Sequence, residues 1–378
     1  MKLPVLEDLG DVAGKKILVR ADLNVPLVGE DGERTVADEF RIEATMPTLQ
    51  WLVDRGAHVT VCSHLGRPTI ETQEEFSMAP IQRLLHQRLP EIEVLENLRF
   101  NPGEVANDHT FTEELARGFD AVVLDAFGAS HRKHASIVTL PGLLPSVAGR
   151  NLELEVEALS RLLEDPVSPY VALIGGAKVS DKLALLRSLT TKVDTVLVGG
   201  AMAFTFLSAQ GVEVGASLVE PELRDECERL LQSKKIVLPL DFLTLSSSAS
   251  FGPGDHDGEV VLSEGSVREG YRGLDIGPRS VALFASYLLD AKTIFWNGPM
   301  GVYEDPRFAA GTLGVSRAVA DSDAYSVVGG GDSAAALRQE GLEETVSHLS
   351  TGGGASLQFL EENGHLVGID ALLEGRRR

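Results

Sequence analysis

ILVRADLNVP, residues 17–26, holds the first of a series of short apolar runs, and the rest of the chain repeats its grammar. The run Lys16-Ile17-Leu18-Val19-Arg20 reads as a strand that stops at two polar residues, Asp22 and Asn24. Further runs follow at Ala57–Val61, Ile92–Leu95 and Ala121–Leu124, separated by helical patterns near 41–55, 78–88 and 112–118. Such alternation predicts βαβ units and a parallel sheet. The second half does the same, with strands at 170–174, 195–198, 235–239, 293–296 and 325–328. Helices are expected near 179–189, 221–233, 280–290, 308–320 and 333–340. The expected fold is α/β: two similar doubly wound, Rossmann-like parallel-sheet domains facing a cleft.

The first domain is expected over 1–150 and the second over 166–359. An acidic linker helix is expected over 151–165, ended by the breaker Glu164-Asp165-Pro166. Residues 360–378 are expected to return to the first domain. Segment 244–266, with Ser246-Ser247-Ser248 and Gly252-Pro253-Gly254-Asp255, reads as surface loop or hairpin. Arg376-Arg377-Arg378 reads as a solvated end.

Composition bounds the function. A chain of 378 residues suits two domains. It has no run of eighteen apolar residues, so no membrane span is expected. Its first residues, MKLPVLEDLGDVAGKK, lack the apolar stretch of a signal peptide. Two cysteines, Cys62 and Cys227, cannot build a disulfide framework and suit a reducing cytoplasm. The net charge is −22, from 34 basic and 56 acidic residues, which argues against nucleic acid as a partner.

Open parallel sheets bind ligands beyond the carboxyl ends of their strands. In the first half those ends carry Asp22 and Asn24, SHLGRP (63–68), Asn97-Leu98-Arg99, and DAFGASHR (125–132), with Arg41 opening the next helix. His64, Arg67, Arg99, His131 and Arg132 would converge on one crevice, where guanidinium forks suit phosphate or carboxylate. In the second half the ends are glycine-rich: Gly175-Gly176-Ala177-Lys178, Gly199-Gly200-Ala201, Asn297-Gly298-Pro299-Met300, Gly330-Gly331-Asp332-Ser333 and Gly352-Gly353-Gly354. Five such loops, with Lys178, Lys182 and Asp332 among them, read as a nucleotide bed. No Walker, protein-kinase or dinucleotide fingerprint is present. An anion on one domain and a nucleotide on the other point to Mg²⁺-assisted phosphoryl transfer.

Ten blocks in order resemble the phosphoglycerate kinase family. They are ILVRADLNVP (17–26), SHLGRP (63–68), LENLRF (95–100), DAFGASHRKHAS (125–136), LIGGAKVSDK (173–182), LVGGAMAFTFL (197–207), LDIGP (274–278), FWNGPMGVYE (295–304), VGGGDSAAA (328–336) and LSTGGGASLQFL (349–360). The resemblance implies transfer from 1,3-bisphosphoglycerate to ADP, giving 3-phosphoglycerate and ATP. It implies that Asp22, Asn24, His64, Arg67, Arg99 and Arg132 bind phosphoglycerate, with Arg41 catalytic beside the moving phosphoryl group. Lys178, Gly353 and Gly354 would stabilise that group from the nucleotide side. Lys182, Gly199, Gly200, Asn297, Pro299, Glu304, Gly330, Gly331, Asp332 and Ser333 would bind the nucleotide, Asp332 with Mg²⁺ as MgADP or MgATP. A cytoplasmic monomer that closes about a hinge is the family expectation.

The sequence departs from the family at Leu124, where Asn is usual, at Ala201 of the glycine triplet, in the linker helix, and at Tyr271-Arg272. Two rival readings are a NAD-dependent dehydrogenase and a non-enzymatic two-domain anion-binding protein. The first requires a dinucleotide fingerprint in the first loop, and the second leaves five glycine loops without purpose.

Overall fold

The computed structural model describes residues 2–29, 33–255 and 257–375, so Arg376-Arg377-Arg378 lies outside the described residues. The chain divides into two compact units, 1–160 with 354–378, and 161–353.

The first unit contains strands β1 (Lys16–Ala21), β2 (Leu27–Val28), β3 (Thr35–Val36), β4 (His58–Cys62), β5 (Glu93–Val94), β6 (Ala121–Asp125) and β7 (Ser146–Ala148). Five of them form a parallel sheet ordered β5-β4-β1-β6-β7, while β2 and β3 make a small antiparallel hairpin. The order reverses between β1 and β6, and this switch point is where an open sheet leaves a crevice for a ligand. Both faces of the sheet are buried, which explains the unbroken apolar runs. Ile17 and Val19 pack with Leu49, Leu52 and Ile81 on one face. Leu18 packs with Val122, Leu98 and Leu140 on the other.

Helices α1 (Phe40–Val53), α2 (Ala79–Arg88), α3 (Pro102–Ala106) and α4 (His109–Ala116) belong to this unit, and α5 (Arg150–Glu164) crosses the boundary between units. Asp125, at the end of β6, accepts from the Leu152 N–H at 3.0 Å and so caps the first turn of α5. Burial pushes its carboxyl up to about 6.

The second unit repeats the design with β8 (Tyr170–Ile174), β9 (Thr195–Val198) and β10 (Ile236–Val237), then β14 (Thr293–Asn297), β15 (Tyr325–Gly329) and β16 (His348–Leu349). These strands are parallel in the order β10-β9-β8-β14-β15-β16, with the switch between β8 and β14. Around them lie α6 (Leu183–Lys192), α7 (Met202–Ala209), α8 (Arg224–Leu231), α9 (Pro278–Asp290), α10 (Ala310–Ala320) and α11 (Gly331–Gln339). Trp296 is fully buried among Phe284, Leu288 and Val315, and its indole N–H donates to the Gly298 carbonyl at 2.9 Å. Burying each such side chain contributes about 1.5–3 kcal/mol.

Inserted between β10 and β14 is an antiparallel sheet of β11 (Asp241–Ser246), β12 (Val260–Glu264) and β13 (Tyr271–Ile276), in the order β12-β11-β13. The expected hairpin in 244–266 is the β11–β12 part of it. Phe204 of α7 packs on Phe242 of β11, with ring centroids 4.9 Å apart.

Residues 354–375 pack in the first unit as α12 (Gly354–Glu361) and α13 (Val367–Gly375). Phe359 meets Phe127 edge-on at 6.0 Å, and the Gly368 N–H donates to the Ser130 carbonyl at 2.9 Å. The sequence reading carried the second domain to 359, whereas the contacts end the second unit at 353.

Candidate active site

The first unit places several basic residues in the loops at the carboxyl edge of its sheet. Asp22 and Asn24 follow β1, and Asp22 is buried. Arg41, in the first turn of α1, donates through Nη1 to the Asp22 carboxylate at 3.3 Å and to the Asn24 carbonyl at 3.1 Å. The Asn24 side-chain oxygen accepts from the Gly66 N–H at 2.8 Å, which ties the loop after β1 to the loop carrying His64 and Arg67. Arg99 Nη1 donates to the Gly66 carbonyl. One set of hydrogen bonds therefore joins three strand-end loops.

The electrostatics record the same gathering. Burial, then Arg132, brings the Arg99 guanidinium down to about 10, with Arg20 and Arg67 adding to it. Burial and then Arg67 lower Arg132, and Arg41 contributes. His64 is held well below the ordinary imidazole range by burial and then by Arg20. His131 is lowered by burial and then by Arg132. Cations placed this closely repel one another, and an anion would relieve the repulsion. Arg99 Nε, Arg132 Nε and His131 Nδ1 are buried with no hydrogen-bond partner. Buried donors left unmade are costly, so the two guanidinium Nε–H groups favour an acceptor-rich ligand at this edge.

Sequence reasoning missed Arg20 and Glu104, both fully buried behind this cluster. A charged residue inside an apolar run was the available signal for Arg20. Charge on so short a helix gave none for Glu104.

In the second unit the strand-end loops cross at very close range. Gly200 has φ +69°, and a Cβ there would lie 2.5 Å from the Gly176 carbonyl oxygen. Its N–H donates to the Met300 carbonyl at 3.0 Å. Glycine is thus required at 200 by backbone packing alone. Lys178 is exposed in the loop after β8. That loop is held by the buried Glu220, which accepts from the Val179 N–H at 2.6 Å, the Ser180 N–H at 3.1 Å and the Ser180 hydroxyl at 2.5 Å. Glu220 was also missed from the sequence.

Lys182 Nζ donates to the Asn297 side-chain oxygen, and Asn297 Nδ2 is buried without a partner. Ser333 Oγ accepts from the Gly298 N–H at 2.7 Å and packs the start of α11 against the loop holding Pro299. Gly330 precedes α11 with φ +92°, and Gly331 and Asp332 form its first turn. Burial raises the Tyr303 phenol, and Asp332 and then Glu304 raise it further, so all three belong to one neighbourhood. Gly353, with φ +54°, and Gly354 have open space where a side chain would stand. Gly354 opens the eight-residue α12. Backbone N–H groups at such helix starts favour phosphate oxygens.

Asp332 offers hard carboxylate oxygen of the kind that suits Mg²⁺. Among the described residues no group of three or more His, Cys, Asp or Glu side chains forms a metal cage. A single carboxylate of this kind would leave the rest of a magnesium ion's octahedral shell to phosphate oxygens and water.

The family model of phosphoglycerate kinase matches residues 6–363. The chain belongs to the phosphoglycerate kinase family. It is 48% identical over 405 aligned residues to the phosphoglycerate kinase of Salinispora tropica, covering 98% of this chain and 100% of that one. With the Rubrobacter xylanophilus enzyme it shares 47% over 389 residues, covering 96% and 97%. The solved phosphoglycerate kinase from Coxiella burnetii superposes with a TM-score of 0.88 at 36% identity, covering 99% of each chain. That from Pyrococcus horikoshii gives 0.86 at 30%, covering 99% and 100%. The chain is thus a kinase with the α/β architecture expected from its sequence. Neither the dehydrogenase nor the non-enzymatic reading has support. No described helix is long and apolar enough to cross a membrane.

Proposed function

We propose that this kinase transfers the acyl phosphoryl group of 1,3-bisphosphoglycerate to ADP, reversibly, giving 3-phosphoglycerate and ATP. The observation that carries this reading is the arginine cluster of the first unit, with its buried, unpartnered Nε atoms on Arg99 and Arg132.

Asp22, Asn24, His64, Arg67, Arg99 and Arg132 hold the phosphoglycerate. Lys182, Gly199, Gly200, Asn297, Pro299, Glu304, Gly330, Gly331 and Ser333 hold the nucleotide, and Asp332 holds its magnesium. When bound, Mg²⁺ neutralises phosphate charge and orients the nucleotide. Arg41, Lys178 and the backbone N–H groups at Gly353 and Gly354 stabilise the charge spread over the moving phosphoryl group. A phosphate oxygen of ADP attacks phosphorus as the bond to the carboxylate oxygen breaks. In reverse, the carboxylate attacks the terminal phosphate of ATP.

No proton changes hands at the reacting oxygens, so no general base is required. A neutral His64 suits this role as a hydrogen-bond donor rather than a proton shuttle. Transfer needs the reacting atoms about 3–3.5 Å apart and shielded from water. The linker at 151–165 is therefore the proposed hinge of a cytoplasmic, monomeric enzyme. The buried free thiols Cys62 and Cys227 suit a reducing compartment.

The test is a coupled assay of purified protein with 3-phosphoglycerate, MgATP and a reporter dehydrogenase. Magnesium-dependent turnover is expected. Silence in both low and molar salt would overturn the reading.

A further inference from the structure

We propose that Glu104, acting with Ser136, is a positioning residue that fixes the tautomer of His64 through the buried guanidinium of Arg20. The inference rests on the phosphoglycerate reading of the anion site and adds to it. Arg20 stands in β1, the central strand of the first sheet, and is wholly buried. Its Nε donates to Ser136 Oγ at 2.7 Å and its Nη1 to the Ala21 carbonyl at 2.5 Å. Its Nη2 lies 3.3 Å from His64 Nδ1 and 4.0 Å from Glu104 Oε1. Glu104, on α3 five residues after Arg99, is equally buried. It accepts from the Ser136 hydroxyl at 2.6 Å and from the Ser136 N–H at 3.0 Å.

The direction of every bond in this chain is forced. A guanidinium can only donate, and an ionised carboxylate can only accept. The one hydroxyl proton of Ser136 goes to Glu104, which leaves its lone pairs for Arg20. His64 Nδ1 must then be an acceptor, so a neutral ring carries its proton on Nε2. Burial is the first thing that opposes protonation of this ring, and Arg20, Arg99, Arg132 and His134 oppose it further. Nε2–H is consequently the donor the ring can offer an anion. The opposite tautomer would offer a lone pair instead.

Glu104 also spans two loops of the site. Its own helix follows Arg99, while Ser136 lies in the helical turn Ala135–Thr139 that follows Arg132. His134 Nδ1 lies 3.8 Å from the same carboxylate, but burial brings that ring down to about 4, so near neutral pH Arg20 is the cation that Glu104 faces. Removing it loosens Arg20, and the reason for His64 to keep one tautomer goes with it.

The experiment uses the full chain with ¹⁵N-labelled histidine, long-range ¹H–¹⁵N spectra near neutral pH, and steady-state kinetics. A His64→Gln sample assigns the signal. Wild type should show His64 as a single Nε2–H tautomer. Glu104→Gln and Ser136→Ala should show exchange between tautomers. They should raise KM for 3-phosphoglycerate by roughly tenfold, the size of one lost hydrogen bond to a charged group, and leave KM for MgATP unchanged. Glu104→Asp should restore part of both effects. Circular dichroism checks folding, and if Glu104→Gln does not fold, Ser136→Ala decides.

A wild-type ring protonated on Nδ1, or on both nitrogens, overturns the proposal. So does an unchanged tautomer in the folded variants. Tautomer exchange in a protein indifferent to 3-phosphoglycerate would uphold the positioning and overturn the substrate reading.

Discussion

Arg41 is held by the Asp22 carboxylate and the Asn24 carbonyl, so its guanidinium is aimed before any ligand arrives. Lys178 is exposed, and it stands on a loop clamped by Glu220, whose carboxylate also feels its charge. Preorganised cations of this kind act on charge that develops in the transition state. Arg41→Ala and Lys178→Ala should each lower kcat by a factor worth on the order of 3 kcal/mol, with much smaller changes in either KM. Steady-state kinetics with each substrate varied will check this, and unchanged kcat with raised KM would make them binding residues only. The exposed or half-buried cations were legible in the sequence because they sit where strands end. Arg20, Glu104 and Glu220 were not, because a charge looks solvated until its burial and partners are known.

Glu220 shows how an element is tuned by a residue distant in sequence. Its carboxylate takes three hydrogen bonds from Val179 and Ser180, and its charge is favoured over the neutral form despite burial. Glu220→Ala should cost about 1.5–3 kcal/mol of stability, the range for hydrogen bonds to a charged group. It should also lower kcat, because the loop of Lys178 loses its anchor. Thermal unfolding and kinetics measure the two effects, and an unchanged kcat in a folded variant would detach the clamp from catalysis.

The central strands of both sheets were legible as apolar runs because parallel strands bury both faces. β7 and β16 were not, being short edge strands of three and two residues. The sheet of β11, β12 and β13 was read only as a surface loop or hairpin, since Asp241, Thr244 and Asp275 interrupt its pattern. Those polar residues are buried: Asp275 accepts from the Gly311 N–H at 2.7 Å at the start of α10, and burial pushes its carboxyl up to about 7.

For the whole molecule, the proposal assigns the phosphoglycerate to the first unit and the nucleotide to the second. Calorimetric titration separates them. Arg99→Ala should weaken 3-phosphoglycerate and leave MgADP nearly unchanged, and Asp332→Ala should do the reverse. Crossed effects would overturn the assignment of ligands to units.

The central claim is direct transfer between a carboxylate and a nucleotide, with water excluded. The measurement closest to it is phosphorus NMR saturation transfer at chemical equilibrium, with 3-phosphoglycerate, ATP, ADP and magnesium present. The account predicts exchange between the β-phosphate signals of ATP and ADP that appears only when 3-phosphoglycerate is present, while inorganic phosphate stays constant. Absence of that exchange, or steady growth of inorganic phosphate at the expense of ATP, would contradict it.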